Sequence, residues 1–281
     1  MPRKSISASG AVAALALAVA ASVLSLAPVA AAAADTSVEQ AIEQYRQDLQ
    51  GGNPAELWEA RGEEIWNAPR GPKHVSFKSC DLGLGPGVVK AAYAQLPRYF
   101  PDAGRVLDLE SRLVWCMVHE QGFTHAEATK VTFGKGSHTR SDLEALAAYV
   151  VAQSDGTKMN VSLADPHVRD MYEIGERMFF YRAGTHDFAC ATCHGSDGKR
   201  IRLQDLPNLT TKAGAQKAYT SWPAYRVSQG EVRTFQWRLH DCLRQQRFPD
   251  LVYGSDASIA LTTYLAARAN GAAYAGPGMK R

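Results

Sequence analysis

Past its first 34 residues the sequence has no apolar run long enough to cross a bilayer, so no membrane insertion is expected beyond that point. Neither sign of charge is in excess. Thirty-one Lys and Arg face 28 Asp and Glu, a net charge of +3 to which Arg3 and Lys4 contribute two. That balance excludes the basic face of a nucleic-acid binder. Sustained alternation of apolar and polar residues is missing, so no substantial sheet is expected. Apolar residues are not scarce (46%), which excludes a disordered chain. Cysteine is scarce and odd in number: Cys80, Cys116, Cys190, Cys193 and Cys242.

The N-terminus has the pattern of an export signal. Arg3 and Lys4 precede an uncharged run from Ala11 to Ala34, mostly Ala, Val and Leu. The run ends in the small residues Ala31 to Ala34, just before the polar Asp35-Thr36-Ser37. This is a basic start, an apolar middle and a small-residue cleavage site, with cleavage expected after Ala34. An uncleaved anchor is the alternative. Export leads to an oxidising compartment, where disulfides form.

Helical spacing of apolar residues recurs over Asp35 to Asn53, Leu57 to Trp66, Leu107 to Val118, Leu143 to Val151, Val168 to Tyr181, Val232 to Arg244 and Ile259 to Ala267. Long Gly-, Pro- and Ser-rich stretches separate them. The expected fold class is therefore all-α. The chain also resembles itself. Arg61-Gly62-Glu63-Glu64-Ile65-Trp66 matches Ile174-Gly175-Glu176-Arg177-Met178-Phe179, 113 positions on, and that offset places Cys80 on Cys193. Leu143 to Tyr149 matches Ile259 to Tyr264. Cys116 and Cys242 each precede a Gln-x-Phe. The expected organisation is a signal at 1–34 and two related domains in tandem, 35–155 and 156–281.

Cys190-Ala191-Thr192-Cys193-His194 is the C-x-x-C-H signature of covalent haem c attachment, so the expected domains are cytochrome c-like, with haem in 156–281 and none in 35–155. Two thiols three residues apart reach both vinyl groups of one porphyrin, and the next residue, His194, lies under the iron. At the matching place the first half reads Phe77-Lys78-Ser79-Cys80-Asp81. Phe77 replaces the first cysteine and Asp81 replaces the histidine, so one haem is expected, not two. Cys80, stripped of its haem partner, is expected to pair with Cys116; two buried free thiols are the alternative.

The ligand opposite His194 is less legible. Met171 and Met178 lie on an apolar helical face, Met279 in the tail, His186 close to the motif, and His240 and Cys242 further on. Arg238 is four residues before Cys242, hence on its helical face, and Arg244 and Arg247 follow. Cationic neighbours favour a thiolate and bind small anions. A solvated, Arg-rich face over a structural cysteine is the plainer reading of the same residues.

The haem motif, Arg238 with Cys242-Leu243-Arg244-Gln245-Gln246-Arg247-Phe248-Pro249, and Leu82-Gly83-Leu84-Gly85-Pro86-Gly87 with Leu113-Val114-Trp115-Cys116-Met117 together resemble the SoxA family. The resemblance spans both halves. It implies an L-cysteine S-thiosulfotransferase of the periplasm, of the single-haem type because of Phe77 and Asp81. It implies that Cys242 is both the distal iron ligand and the catalytic cysteine, found as a persulfide in the family. Arg238 matches the substrate-binding arginine, with Arg247 as a further candidate. The implied partners are a SoxX-type monohaem cytochrome c, in a heterodimer, and the SoxYZ carrier protein, with thiosulfate as substrate. A plain electron-transfer cytochrome, a thiosulfate dehydrogenase forming tetrathionate, and a non-enzymatic scaffold subunit are the alternatives.

Overall fold

The structure is a computed structural model that describes residues 40, 43–45, 47–48, 52–129, 141–201 and 204–280. The expected export signal lies outside the described residues. So does much of the helix expected over Asp35 to Asn53, of which 43–45 and 47–48 are helical. Residues from Ile42 onward form one compact unit.

Two helix pairs build it. Helix α1 (Ala55–Asn67) turns Trp58, Ile65 and Trp66 inward. Helices α2 (Leu109–His119) and α3 (His125–Thr129) follow, and α4 (Asp142–Ala152) packs along α1. The pattern then recurs: α5 (Pro166–Phe180), the short α6 (Cys190–His194), α7 (Lys212–Tyr219), α8 (Phe235–Gln245) and α9 (Asp256–Arg268), with α9 packed along α5. The starts are chemically marked. Asp165 accepts hydrogen bonds from the amides of His167 and Val168, with Pro166 as first helical residue. Ser141, Thr234 and Ser255 cap α4, α8 and α9 in the same way. One continuous apolar core runs through both halves.

The repeat is visible at the atomic level. A methyl group on Gly62 would lie 2.1 Å from the Ala145 carbonyl oxygen and 2.7 Å from Tyr149 Cβ. On Gly175 it would lie 2.0 Å from the Ala260 oxygen and 2.8 Å from Tyr264 Cβ. Both helix pairs therefore approach so closely that only hydrogen fits at the crossing. The bridge Arg70–Val75 has its counterpart in Ala183–Phe188. Gly122 and Arg247, each in the middle of a Gln-x-Phe, both have left-handed backbones, with φ of 81° and 55°.

The all-α expectation is corrected. Seven strands make two two-stranded sheets and one three-stranded sheet among the described residues. β1 (Arg98–Phe100) pairs with β2 (Arg105–Leu107), and β3 (Arg200–Ile201) with β4 (Gln204–Asp205). In the third sheet β5 (Ala224–Arg226) lies between antiparallel β6 (Glu231–Arg233) and parallel β7 (Gly278–Lys280). Strands of two or three residues are too short to display an alternating pattern. β7 joins from over 50 residues away, which no local signal announces.

Cys80 and Cys116 form a disulfide across the first half, as expected. Phe77 is buried and stacks on Trp66, with ring centroids 5.5 Å apart. Asp81, in the place of the ligand histidine, accepts hydrogen bonds from the amides of Gly83 and Gly85 at 2.6 and 2.9 Å. The link closes a loop with a separation of 36 residues. On the chain-entropy account Cys80→Ala/Cys116→Ala is expected to cost about 3 to 4 kcal/mol, read as a lower urea midpoint with a steeper slope, because the unlinked denatured chain is more expanded. An unchanged midpoint would show that the link adds nothing to stability.

Candidate functional site

Helix α6 begins at Cys190, where the Ala189 amide donates to Thr192 Oγ1 at 2.9 Å. Cys190 and Cys193 are partly buried free thiols one turn apart, next to His194. The His194 ring is fixed through Nδ1, 2.9 Å from the Pro207 carbonyl oxygen. With Nδ1 as donor, Nε2 is left with its lone pair free. The loop carrying Pro207 is itself anchored. The Leu209 amide donates to the His194 carbonyl at 2.9 Å, and Arg268 on α9 donates to the carbonyls of Leu209 and Thr210. Burial pulls the His194 pKa down; the Pro207 bond opposes this and Arg238 adds to it. The ring is thus held as the neutral imidazole that binds metals.

Helix α8 brings Arg238 and Cys242 to this place. Thr234 caps it, and Phe235, Trp237 and Leu239 face the core. The Cys242 thiol interacts electrostatically with those of Cys190 and Cys193 and with the Arg238 guanidinium. Burial pushes the Cys242 pKa up, and the pull of Arg238 in the other direction does not cancel it. Burial likewise pushes Cys190 up to about 12. The arginines alone therefore do not ionise Cys242. Bonding to a cation would, because a coordinating thiol is deprotonated. Two thiols, an imidazole fixed through Nδ1 and a third thiol in electrostatic reach of them form a donor set that fits haem c. Cys190 and Cys193 would hold its vinyl carbons, and His194 Nε2 and Cys242 Sγ its iron.

The other candidate ligands have other contacts. Met171 and Met178 pack against the core and Met279 is buried in β7. His186 is exposed. His240 Nδ1 is 3.1 Å from the Leu251 carbonyl oxygen, with its ring against Tyr253. Arg247 lies beyond the end of α8 and is exposed.

A family model described as the cytochrome c domain of SoxA and TsdA matches twice, at residues 61–159 and 174–274. The SoxA subunit of L-cysteine S-thiosulfotransferase from Hydrogenophilus thermoluteolus is 52% identical over 96% of this chain and 98% of its own. The chain belongs to the SoxA family. A SoxA subunit from Hydrogenobacter thermophilus is 34% identical over 81% of this chain and 82% of its own. The crystal structure of SoxXA from P. pantotrophus matches with a TM-score of 0.68 at 26% identity, covering 85% of this chain and 84% of that one. Membership identifies the chain as a thiosulfotransferase subunit built on cytochrome c domains. Among the described residues no helix is long and apolar enough to cross a membrane.

Three features around the site carry no sequence motif. Asp241 is buried beside Cys242; its carboxylate bonds Arg244 at 2.8 Å and Gln245 at 2.6 Å and lies 3.6 Å from Arg238. The i, i+3 spacing from Arg238 to Asp241 to Arg244 was the available signal. The Pro207 carbonyl had no signal beyond a proline past the motif. The third feature is a pair of buried carboxylates from the first half. Gln236 Nε2 donates to Asp108, and the Gln236 amide donates to Glu110 at 3.4 Å. Burial raises both acids, Glu110 to about 8, helped by its neighbour Asp108. Since folding raises Glu110 above its usual 4.5, its contribution to stability is full below that value and is lost as pH rises towards about 8. Glu110→Gln keeps an acceptor for the Gln236 amide. It is expected to flatten the decline in melting temperature from pH 5 to pH 8.5, a gain on the order of 1–3 kcal/mol at the alkaline end. An unchanged slope in calorimetric melts would remove Glu110 as its cause.

Proposed function

We propose that this chain is a periplasmic subunit that joins thiosulfate oxidatively to a cysteine of the SoxYZ carrier protein, acting in a heterodimer with a SoxX-type monohaem cytochrome c. The observation that carries this reading is the position of Cys242, whose thiol interacts electrostatically with the haem-motif cysteines and with Arg238. Residues 35–155 form a haem-free cytochrome c-like domain and residues 156–281 carry a single haem, attached through Cys190 and Cys193. The paired glycine crossings and the substitutions at Phe77 and Asp81 support that division.

The haem, when bound, would be held by Cys190, Cys193, His194 and Cys242 and would supply one-electron chemistry beside the sulfur. This chain's residues do the rest. Arg238 binds the thiosulfate dianion and offsets its repulsion from the Cys242 thiolate; Arg247 draws the anion in from the exposed end of α8. Cys242 Sγ forms a bond to the outer sulfur of thiosulfate as the sulfur pair loses two electrons, taken one at a time by the single haem of the partner cytochrome, which a downstream one-electron acceptor reoxidises between the two. The carrier thiolate then attacks the sulfur bonded to Sγ. A new S–S bond forms on the carrier, the old one breaks, and Cys242 leaves as thiolate.

Cys242→Ala is expected to keep covalent haem, lose the low-spin thiolate signal in low-temperature EPR of the ferric protein, and reduce thiosulfate coupling to SoxYZ to background. Arg238→Ala is expected to lower coupling about a hundredfold with the EPR signal intact. A His/Met or His/His signal untouched by Cys242→Ala would leave a plain electron carrier. Tetrathionate formed without SoxYZ would make the protein a thiosulfate dehydrogenase.

A further inference from the structure

Arg238 and Cys242 are four residues apart on α8 and share a face. Asp241 comes three residues after Arg238 and three before Arg244, so its carboxylate can reach one turn back and one turn forward. It does both. Oδ1 accepts from Arg244 Nη2 at 2.8 Å, and Oδ2 accepts from Gln245 Nε2 at 2.6 Å. The same Oδ2 is 3.6 Å from Arg238 Nη1, close enough for charge attraction and too far for a hydrogen bond. The contact therefore restrains Arg238 without taking up one of its N–H groups. Asp241 is buried, so its charge acts on Arg238 with little screening.

The first half supplies the comparison. Residue for residue, α2 aligns Arg112 with Arg238 and Cys116 with Cys242, and places Trp115, Val118 and His119 where α8 has Asp241, Arg244 and Gln245. The Trp115 ring lies 4.2 Å from the Arg112 guanidinium and stacks on His119 at 4.5 Å. An aromatic ring thus covers that arginine, whereas α8 sets a negative charge beside its own. The carboxylate occurs in the half whose cysteine is free. Arg244 does not account for it: its side chain is 61% exposed, where an ion pair is worth little. A negative charge beside an anion-binding arginine weakens substrate binding, so its benefit must fall elsewhere in the cycle. The sulfonate has to be held while the outer sulfur joins Cys242 and let go when the carrier takes the adduct. An arginine that bound it equally tightly in both states would slow the second.

We propose that Asp241 is a positioning residue that acts through Arg238: it restrains the guanidinium beside Cys242 and, as a counter-charge, limits its hold on the sulfonate so that the adduct leaves with the carrier. This deepens the sulfur-transfer reading above and rests on it.

The test uses Asp241→Asn and Asp241→Glu in the full haem-loaded heterodimer. Asparagine keeps the size and an acceptor oxygen but not the charge. In a Cys242→Ala background, which cannot turn over, Asp241→Asn is expected to tighten calorimetric binding of thiosulfate about tenfold. With Cys242 present, KM for thiosulfate and kcat for carrier modification are both expected to fall by a similar factor, with the ferric EPR signal unchanged. Loss of a purely structural brace would weaken binding, not tighten it. Asp241→Glu keeps the charge and is expected to restore binding to within a few-fold of the parent. If Asp241→Asn does not assemble, Asp241→Ser takes its place, with the same signs expected. A neutral variant that binds thiosulfate no more tightly than its parent, or binds it more tightly with kcat unchanged, overturns the proposal. The coupling reading fails separately, by absence of carrier modification in the parent protein.

Discussion

The reactive helix is held by acids that belong to the other half of the chain. Asp108 and Glu110, at the start of α2, take the Gln236 side chain and amide. Glu144, on α4, takes Arg233 at the end of the strand that leads into α8. Burial pushes Glu144 up to about 7 against the downward pull of Arg233, so the pair is desolvated. Breaking a buried pair of this kind leaves an uncompensated charge and is strongly destabilising. The direction and depth of α8, and so the placement of Arg238 and Cys242, are set from outside the half that contains them.

The two halves share a frame and differ in what fills it. Arg112 is four residues before Cys116 as Arg238 is four before Cys242, and the helices carrying them have the same length and the same kind of cap. In the first half Cys116 is locked to Cys80. Arg112 is fully buried, bonded twice to Asp102 at 2.8 and 3.0 Å and once to the Asp81 carbonyl at 2.7 Å, between the rings of Phe100 and Trp115. In the second half the corresponding cysteine is free and the corresponding arginine is partly exposed, 3.6 Å from Asp241. The two halves thus differ in whether the arginine and the cysteine already have partners within the chain.

Six helices were legible in the sequence because each buries an apolar stripe longer than two turns, and their ends agree with the spacing to within a few residues. The haem motif was legible because its chemistry is contiguous. The Cys80–Cys116 link followed from what the first half had lost. The strands were not legible, since none exceeds three residues and β7 pairs with a distant partner. Asp108, Glu110 and Glu144 read as ordinary helix-start acids. Only folding brings them against Gln236 and Arg233, more than 80 residues away in sequence.

The Arg112–Asp102 pair has a consequence best put as competition. Asp102 is a tethered ligand, ten residues from the cation it occupies. A tether that short gives an effective concentration in the millimolar range or above. Any free anion must outcompete it at that concentration, although Asp102 itself is half exposed. The first half is thus a binding site supplied with its own permanent occupant. Site loss in a duplicated fold needs no loss of the arginine, only the arrival of a neighbour that never leaves.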